Sequence, residues 1–153
     1  MFKSLYFKIV LILLIFIVAV MCAVSAILMN GVSSYFAGQF SGQMAECFGE
    51  ETILYKELQE TAKDSRDAAG MKEILSSYGS ILGIDAYRNY YVLDGFGYML
   101  TGSDAELGAQ LEITPNLLAA MDGRYDNRII SGTEYADWAV PFAEGDVIVY
   151  VKD

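Results

Sequence analysis

IVLILLIFIVAVMCAVSAILM, from Ile9 to Met29, is twenty-one apolar residues without a charge, entered from Lys8 and left at Asn30-Gly31. At about 1.5 Å per residue a helix of this length covers roughly 30 Å, the hydrocarbon thickness of a bilayer. A secretory leader needs an apolar region of only about 7–15 residues. Val24-Ser25-Ala26 has the small residues a signal peptidase accepts, yet the run continues through Ile27, Leu28 and Met29, which favours a retained helix. Met21 before Cys22 is too bulky for a lipidation site.

Charge orients the run. Lys3 and Lys8 lie before it with no acid among the first eight residues, and short basic flanks stay in the cytoplasm. All twenty acids and eight of the ten basic residues follow it, giving the distal part a net charge of −12. The expected layout is a cytoplasmic N-terminus (1–8), a transmembrane helix (9–29) and an extracytoplasmic domain (30–153) of a single-pass cell-membrane protein. A surface this acidic lacks the cationic footprint that nucleic-acid binding requires. Cys22 and Cys47 form neither a disulfide framework nor a metal-spaced set, although a Cys47 bridge between neighbouring subunits is an alternative.

Beyond the run, apolar residues recur at threes and fours through Phe36, Phe40, Met44, Cys47, Leu54 and Leu58, predicting one amphipathic helix over 31–61. Glu51 falls on its seam, so the helix is expected to face its own domain in part and a partner subunit in part, as in a homodimer. After the polar stretch 63–67, where Asp67 is a candidate cap, a second helix is expected over 68–82, fading at Gly79 and Gly83. From Tyr87 the period becomes that of strands. Tyr87–Leu93 and Tyr98–Gly102 flank the turn Asp94-Gly95-Phe96-Gly97, and further strands are expected at 128–130, 135–142 and 147–151. Thr114-Pro115 opens a short helix through Met121. The predicted class is α+β: helical over 31–83, then a five-stranded antiparallel sheet over 86–152 flanked by helices.

These residues carry a resemblance. Tyr90-Tyr91-Val92-Leu93-Asp94-Gly95, Thr101-Gly102-Ser103-Asp104, Leu107-Gly108, Ile113-Thr114-Pro115-Asn116, Ala139-Val140-Pro141-Phe142 and the closing 147–153 look like the extracytoplasmic sensor domain of membrane-bound bacterial histidine kinases, including the WalK-like group. The resemblance implies a PAS-like domain of the Cache type between two membrane helices, followed by a HAMP linker and a kinase core. The chain departs from it in having no histidine and no ATP-site motifs, and in ending at Asp153, where a second membrane helix is expected. It reads as the sensing half of such a kinase, a truncated product or gene fragment, and not as an enzyme. The alternative is a stand-alone membrane-tethered binding or adaptor protein.

No catalytic motif, metal set or cofactor motif is apparent. Candidate ligand contacts are Arg88, Tyr91, Tyr98, Tyr135, Asp137 and Trp138, with Tyr87 nearby, because aromatic walls with polar tips and an arginine suit a small ligand. Strand alternation separates Arg88 from Tyr91. Glu46, Glu50 and Glu51 offer a second sensing route through a divalent cation near the membrane surface. The expected partners are therefore the membrane, a second copy, and a small molecule, cation or envelope ligand.

Overall fold

The computed structural model describes residues 2–63, 68–103, 111–129 and 135–153. Contacts divide the chain into two units, Met1–Ala37 and Gly38–Asp153. The first helix, α1 (Phe2–Cys47), includes the apolar run and passes through Gly31, Gly38 and Gly42 without breaking. It is long and apolar enough to cross a membrane, and its side chains from Ile9 to Met29 are exposed throughout. The same helix carries Phe40 and Met44, which with Phe48 just beyond it are buried core residues. Burying side chains of this size stabilises by about 1.5–3 kcal/mol each.

The helix expected over 31–61 is two helices. The chain turns between Phe48 and Thr52, and α2 (Ile53–Lys63) follows. Thr52 makes the corner: its hydroxyl lies 2.7 Å from the Gly49 carbonyl, to which it donates, and accepts from the Tyr55 N–H at 3.2 Å as the cap of α2. Glu51 therefore sits in an exposed turn and not on a seam, while Leu54, Leu58 and Ala62 of α2 are buried. The second expected helix is likewise divided at Tyr78 into α3 (Ala68–Ser77) and α4 (Gly79–Leu82). Gly83, at φ 72°, ends α4 as expected, with the Ile84 N–H returning to the Gly79 carbonyl at 2.9 Å. The cap assigned to Asp67 lies outside the described residues.

Among the described residues four strands, β1 (Asn89–Asp94), β2 (Met99–Gly102), β3 (Asp137–Phe142) and β4 (Val147–Lys152), form an antiparallel sheet ordered β2-β1-β4-β3. Tyr87 lies before β1, and the Asp94 carboxylate accepts from the Phe96 and Tyr98 N–H groups to shape the β1–β2 turn. Both faces of the sheet are covered, so β1 and β4 read as nearly continuous apolar runs. Tyr90, Val92, Trp138, Val140, Val149 and Val151 pack with the end of α1, α2 and α3. Tyr91, Leu93, Ala139, Ile148 and Tyr150 face α5 (Pro115–Met121) on the other side.

The fifth expected strand is not present at Arg128 and Ile129, which are irregular; Ile130 lies outside the described residues. Arg128 exchanges both its backbone bonds with the Asn116 side chain, at 2.9 Å each, leaving no ladder to join.

The β3–β4 connection holds Ala143 and Glu144 at φ 49° and 59°, a left-handed conformation that costs a side-chain-bearing residue about 1–2 kcal/mol. Glu144→Gly should therefore stabilise the protein by about 0.5–1 kcal/mol after glycine's extra chain entropy is subtracted. Urea denaturation of the detergent-solubilised chain measures this, and a loss of stability would contradict it.

Candidate functional site

Asp137, at the start of β3, is buried and gathers three donors. The hydroxyl of Thr114 donates to its Oδ2, Asn116 Nδ2 donates to Oδ1 at 2.8 Å, and the Tyr150 hydroxyl donates to Oδ2 at 3.0 Å. A buried carboxylate is costly unless its oxygens are hydrogen-bonded, and these donors meet that need. Local sequence explains their position. Thr114 caps α5, accepting from the Leu117 N–H at 3.2 Å, and Pro115 occupies the first turn, so Asn116 follows at the same end of the helix. Leu117 and Ala120 then seat α5 on Ala139, Ile148 and Tyr150.

Burial, followed by the neighbouring Asp137 carboxylate, raises the Tyr150 pKa far above its usual value of 10, so this phenol remains a protonated donor. Beside it, Tyr135 donates to Glu112 Oε2 at 3.3 Å, and the Lys152 ammonium lies 4.1 Å from the Tyr135 ring centroid. Burial and then the Glu112 carboxylate raise the Tyr135 pKa too. Glu112 is exposed and Tyr135 half-buried, so together they form the solvent-facing part of this polar set. Tyr91 packs on the same face, its ring 6.4 Å from that of Tyr150. That ring also explains Gly102: a Cβ there would lie 2.8 Å from Tyr91 Cδ1.

A second asparagine finishes the edge of β3. Asn127 donates to the Ala139 carbonyl and accepts from the Ala139 N–H, both at 2.8 Å, taking the place of a neighbouring strand. Pro141, two residues on, falls at an edge position that needs no N–H, where proline is tolerated in a sheet.

Trp138 points to the opposite face. Its Nε1 donates to the Tyr125 hydroxyl at 3.3 Å, and that hydroxyl donates to the Phe48 carbonyl at 3.0 Å, immediately after α1. Burial raises the Tyr125 pKa, preserving this donor. Consecutive residues of β3 thus reach the α5 cluster and the end of α1.

The candidate ligand residues divide accordingly. Tyr91, Tyr135 and Asp137 belong to the α5 side, whereas Trp138 and Arg88 lie on the helical side. Arg88 is separate from Tyr91: it donates to Gln43 Oε1 at 2.7 Å, to the Leu82 carbonyl at 3.0 Å and to Asp153 Oδ2 at 3.0 Å, above the Phe40 ring. Its guanidinium joins α1, α4 and the end of β4. Tyr98 is exposed at the β1–β2 turn, and Tyr87 is exposed as well. Thr114, Asn116 and Tyr150 were not among the candidates. The available signal was a tyrosine inside the apolar strand 147–151, since a buried phenol requires a partner.

Among the described residues no three Asp, Glu or Cys side chains converge to hold a metal ion, so Glu46, Glu50 and Glu51 supply no such cluster. The Cys47 thiol is half-buried and donates to the Ile81 carbonyl at 3.8 Å, within its own chain.

Asp137→Ala strands the three donors and should destabilise by about 2–4 kcal/mol, given about 1–3 kcal/mol per unsatisfied buried group and some hydroxyl reorientation. Asp137→Asn, which keeps an acceptor, should cost about half as much. Chemical denaturation of both variants checks the order, and an Asp137→Ala loss below about 1 kcal/mol would contradict the role of the carboxylate.

Tyr150 also sets an alkaline limit. With its pKa raised in the fold, its contribution is complete below the unfolded value and is lost as pH rises above about 10, at up to about 1.4 kcal/mol per pH unit. The denaturation midpoint should fall in that range, and Tyr150→Phe should flatten the fall. An unchanged slope in Tyr150→Phe would contradict this.

No family model, no curated protein and no solved structure matches this chain.

Proposed function

We propose that the chain is the membrane-anchored, extracytoplasmic signal-sensing portion of a sensor histidine kinase, with a PAS-like domain of the Cache type outside the cell and its N-terminus in the cytoplasm. One observation carries the reading: the Tyr125 hydroxyl bridges Trp138 of β3 and the Phe48 carbonyl at the end of α1, the helix that contains the apolar run. The neighbouring residue of β3, Asp137, holds α5 on the other face. A small molecule or envelope ligand meeting the exposed Glu112–Tyr135 side would bear on β3, and β3 is tied to α1. Antiparallel strand order and the insertion of α5 between β2 and β3 suit a PAS-like sheet. In a dimer, a shift of α1 by rotation or sliding would be the signal passed inward.

The test is a chimera in which this chain precedes a second membrane helix and a histidine kinase core. Tyr125→Phe, which removes the bridging hydroxyl and keeps the ring, should change autophosphorylation in membrane vesicles by about fivefold or more, the scale of a coupling of about 1 kcal/mol. Alkaline phosphatase fused after Asp153 should be active, as it is only outside the cytoplasm. Phosphorylation indifferent to Tyr125→Phe would count against the sensing reading, and an inactive phosphatase fusion against the orientation.

A further inference from the structure

The uncharged part of α1 is much longer than the apolar run: after Lys8 the next charge is Glu46. Between Met29 and the compact unit that begins at Gly38 lies a stretch whose side chains are exposed through Phe36. It is not uniformly polar. At about 100° per residue, Leu28, Val32, Tyr35 and Phe36 share one side of the helix, and Asn30, Ser33 and Ser34 the other. Tyr35 and Phe36 are 66% and 60% exposed, with their rings in edge contact at a centroid separation of 5.8 Å. Exposed aromatic rings on an uncharged helix are costly in bulk water and favourable at a membrane–water interface, where the ring meets the acyl boundary and a phenol meets the headgroups.

Their position along the helix identifies the occupant. Tyr6 and Phe7 form an equivalent exposed pair at the other end, flanked by Lys3 and Lys8, and Phe16 is the only aromatic residue between the pairs. Tyr6 and Tyr35 are separated by about 43 Å along a helix, against about 40–45 Å for a bilayer including its headgroup layers. The Ile9–Met29 run accounts for only about 30 Å of that distance, the hydrocarbon core.

We propose that Val32, Tyr35 and Phe36 form a lipid-binding surface seated in the headgroup layer, so that the membrane contact of α1 extends from Tyr6 to Phe36 and not only from Ile9 to Met29. The proposal rests on the reading of α1 as a membrane helix. A second copy of the chain is the competing occupant of this face.

Full-length chains in phosphatidylcholine vesicles, with Trp138→Phe leaving no native tryptophan, receive one tryptophan each by Phe36→Trp, Leu14→Trp or Glu57→Trp. Lipids brominated near the carbonyl or deep in the acyl chain serve as quenchers. Trp at 36 should emit to the blue and lose most of its fluorescence to the shallow bromines, Trp at 14 to the deep bromines, and Trp at 57 to neither. Red emission at 36 without quenching overturns the proposal, as does blue emission without quenching, which assigns the face to a second copy. If Trp at 14 also escapes the bromines, the membrane reading fails with it; if only Trp at 36 does, that reading stands and this one falls. A nitroxide at Val32→Cys, in Cys22→Ser Cys47→Ser, keeps Trp138 and both aromatic residues. It should relax more with oxygen than with an aqueous nickel chelate, and the reverse order overturns the proposal.

Discussion

One helix carries two unlike surfaces. Over Ile9–Met29, α1 exposes aliphatic side chains that no other described residue buries, and eleven residues later it supplies Phe40 and then Met44 to a protein core. The first part is long and apolar enough to cross a membrane, and a helix satisfies its own backbone polar groups without water. The second calls for a sheet and two helices to exclude water from the aromatic and thioether side chains. Gln43 extends the engagement through Arg88 to α4 and Asp153, and Phe48 extends it through Tyr125 to β3. The end of this helix is therefore an internal element of the domain, held by apolar burial and by polar contacts at two places.

β3 is the strand on which the two faces meet. Alternation turns Asp137 to α5 and Trp138 to the helices, and each makes a hydrogen-bonded connection there. Its outer edge would be a row of open backbone groups, a hazard for aggregation. Asn127 answers this at Ala139, Asn116 reaches the Asp137 carbonyl at 3.4 Å, and Pro141 removes a donor. The irregular residues 124–129 are thus fastened by side-chain amides where another fold would place a strand. This arrangement lets α5 approach Asp137 closely.

The legible parts of the chain were those where local chemistry acts alone. The apolar run, the Asp94–Gly97 turn, the Thr114-Pro115 helix start and the glycine at the end of α4 each rest on neighbouring residues. The corner at 48–52 was hidden because apolar spacing continues through it, while the Thr52 hydroxyl that shapes the corner resembles any helical threonine. Arg128-Ile129 has strand composition, but its backbone partner is a side chain twelve residues away, which periodicity does not register. Of the candidate ligand residues, Asp137 and Trp138 are adjacent in sequence and reach opposite faces, whereas Thr114, Asn116 and Tyr150 become related to Asp137 only once α5 is seated.

The most direct test of the shared helix is hydrogen exchange on the full chain in lipid nanodiscs across a urea titration. The core role of Phe40, Met44 and Phe48 predicts that amides at 44–47 lose protection at the same urea concentration as those of β1 and β4, while amides at 12–26 remain protected. Amides at 44–47 that persist with the apolar segment after the sheet has unfolded would contradict it.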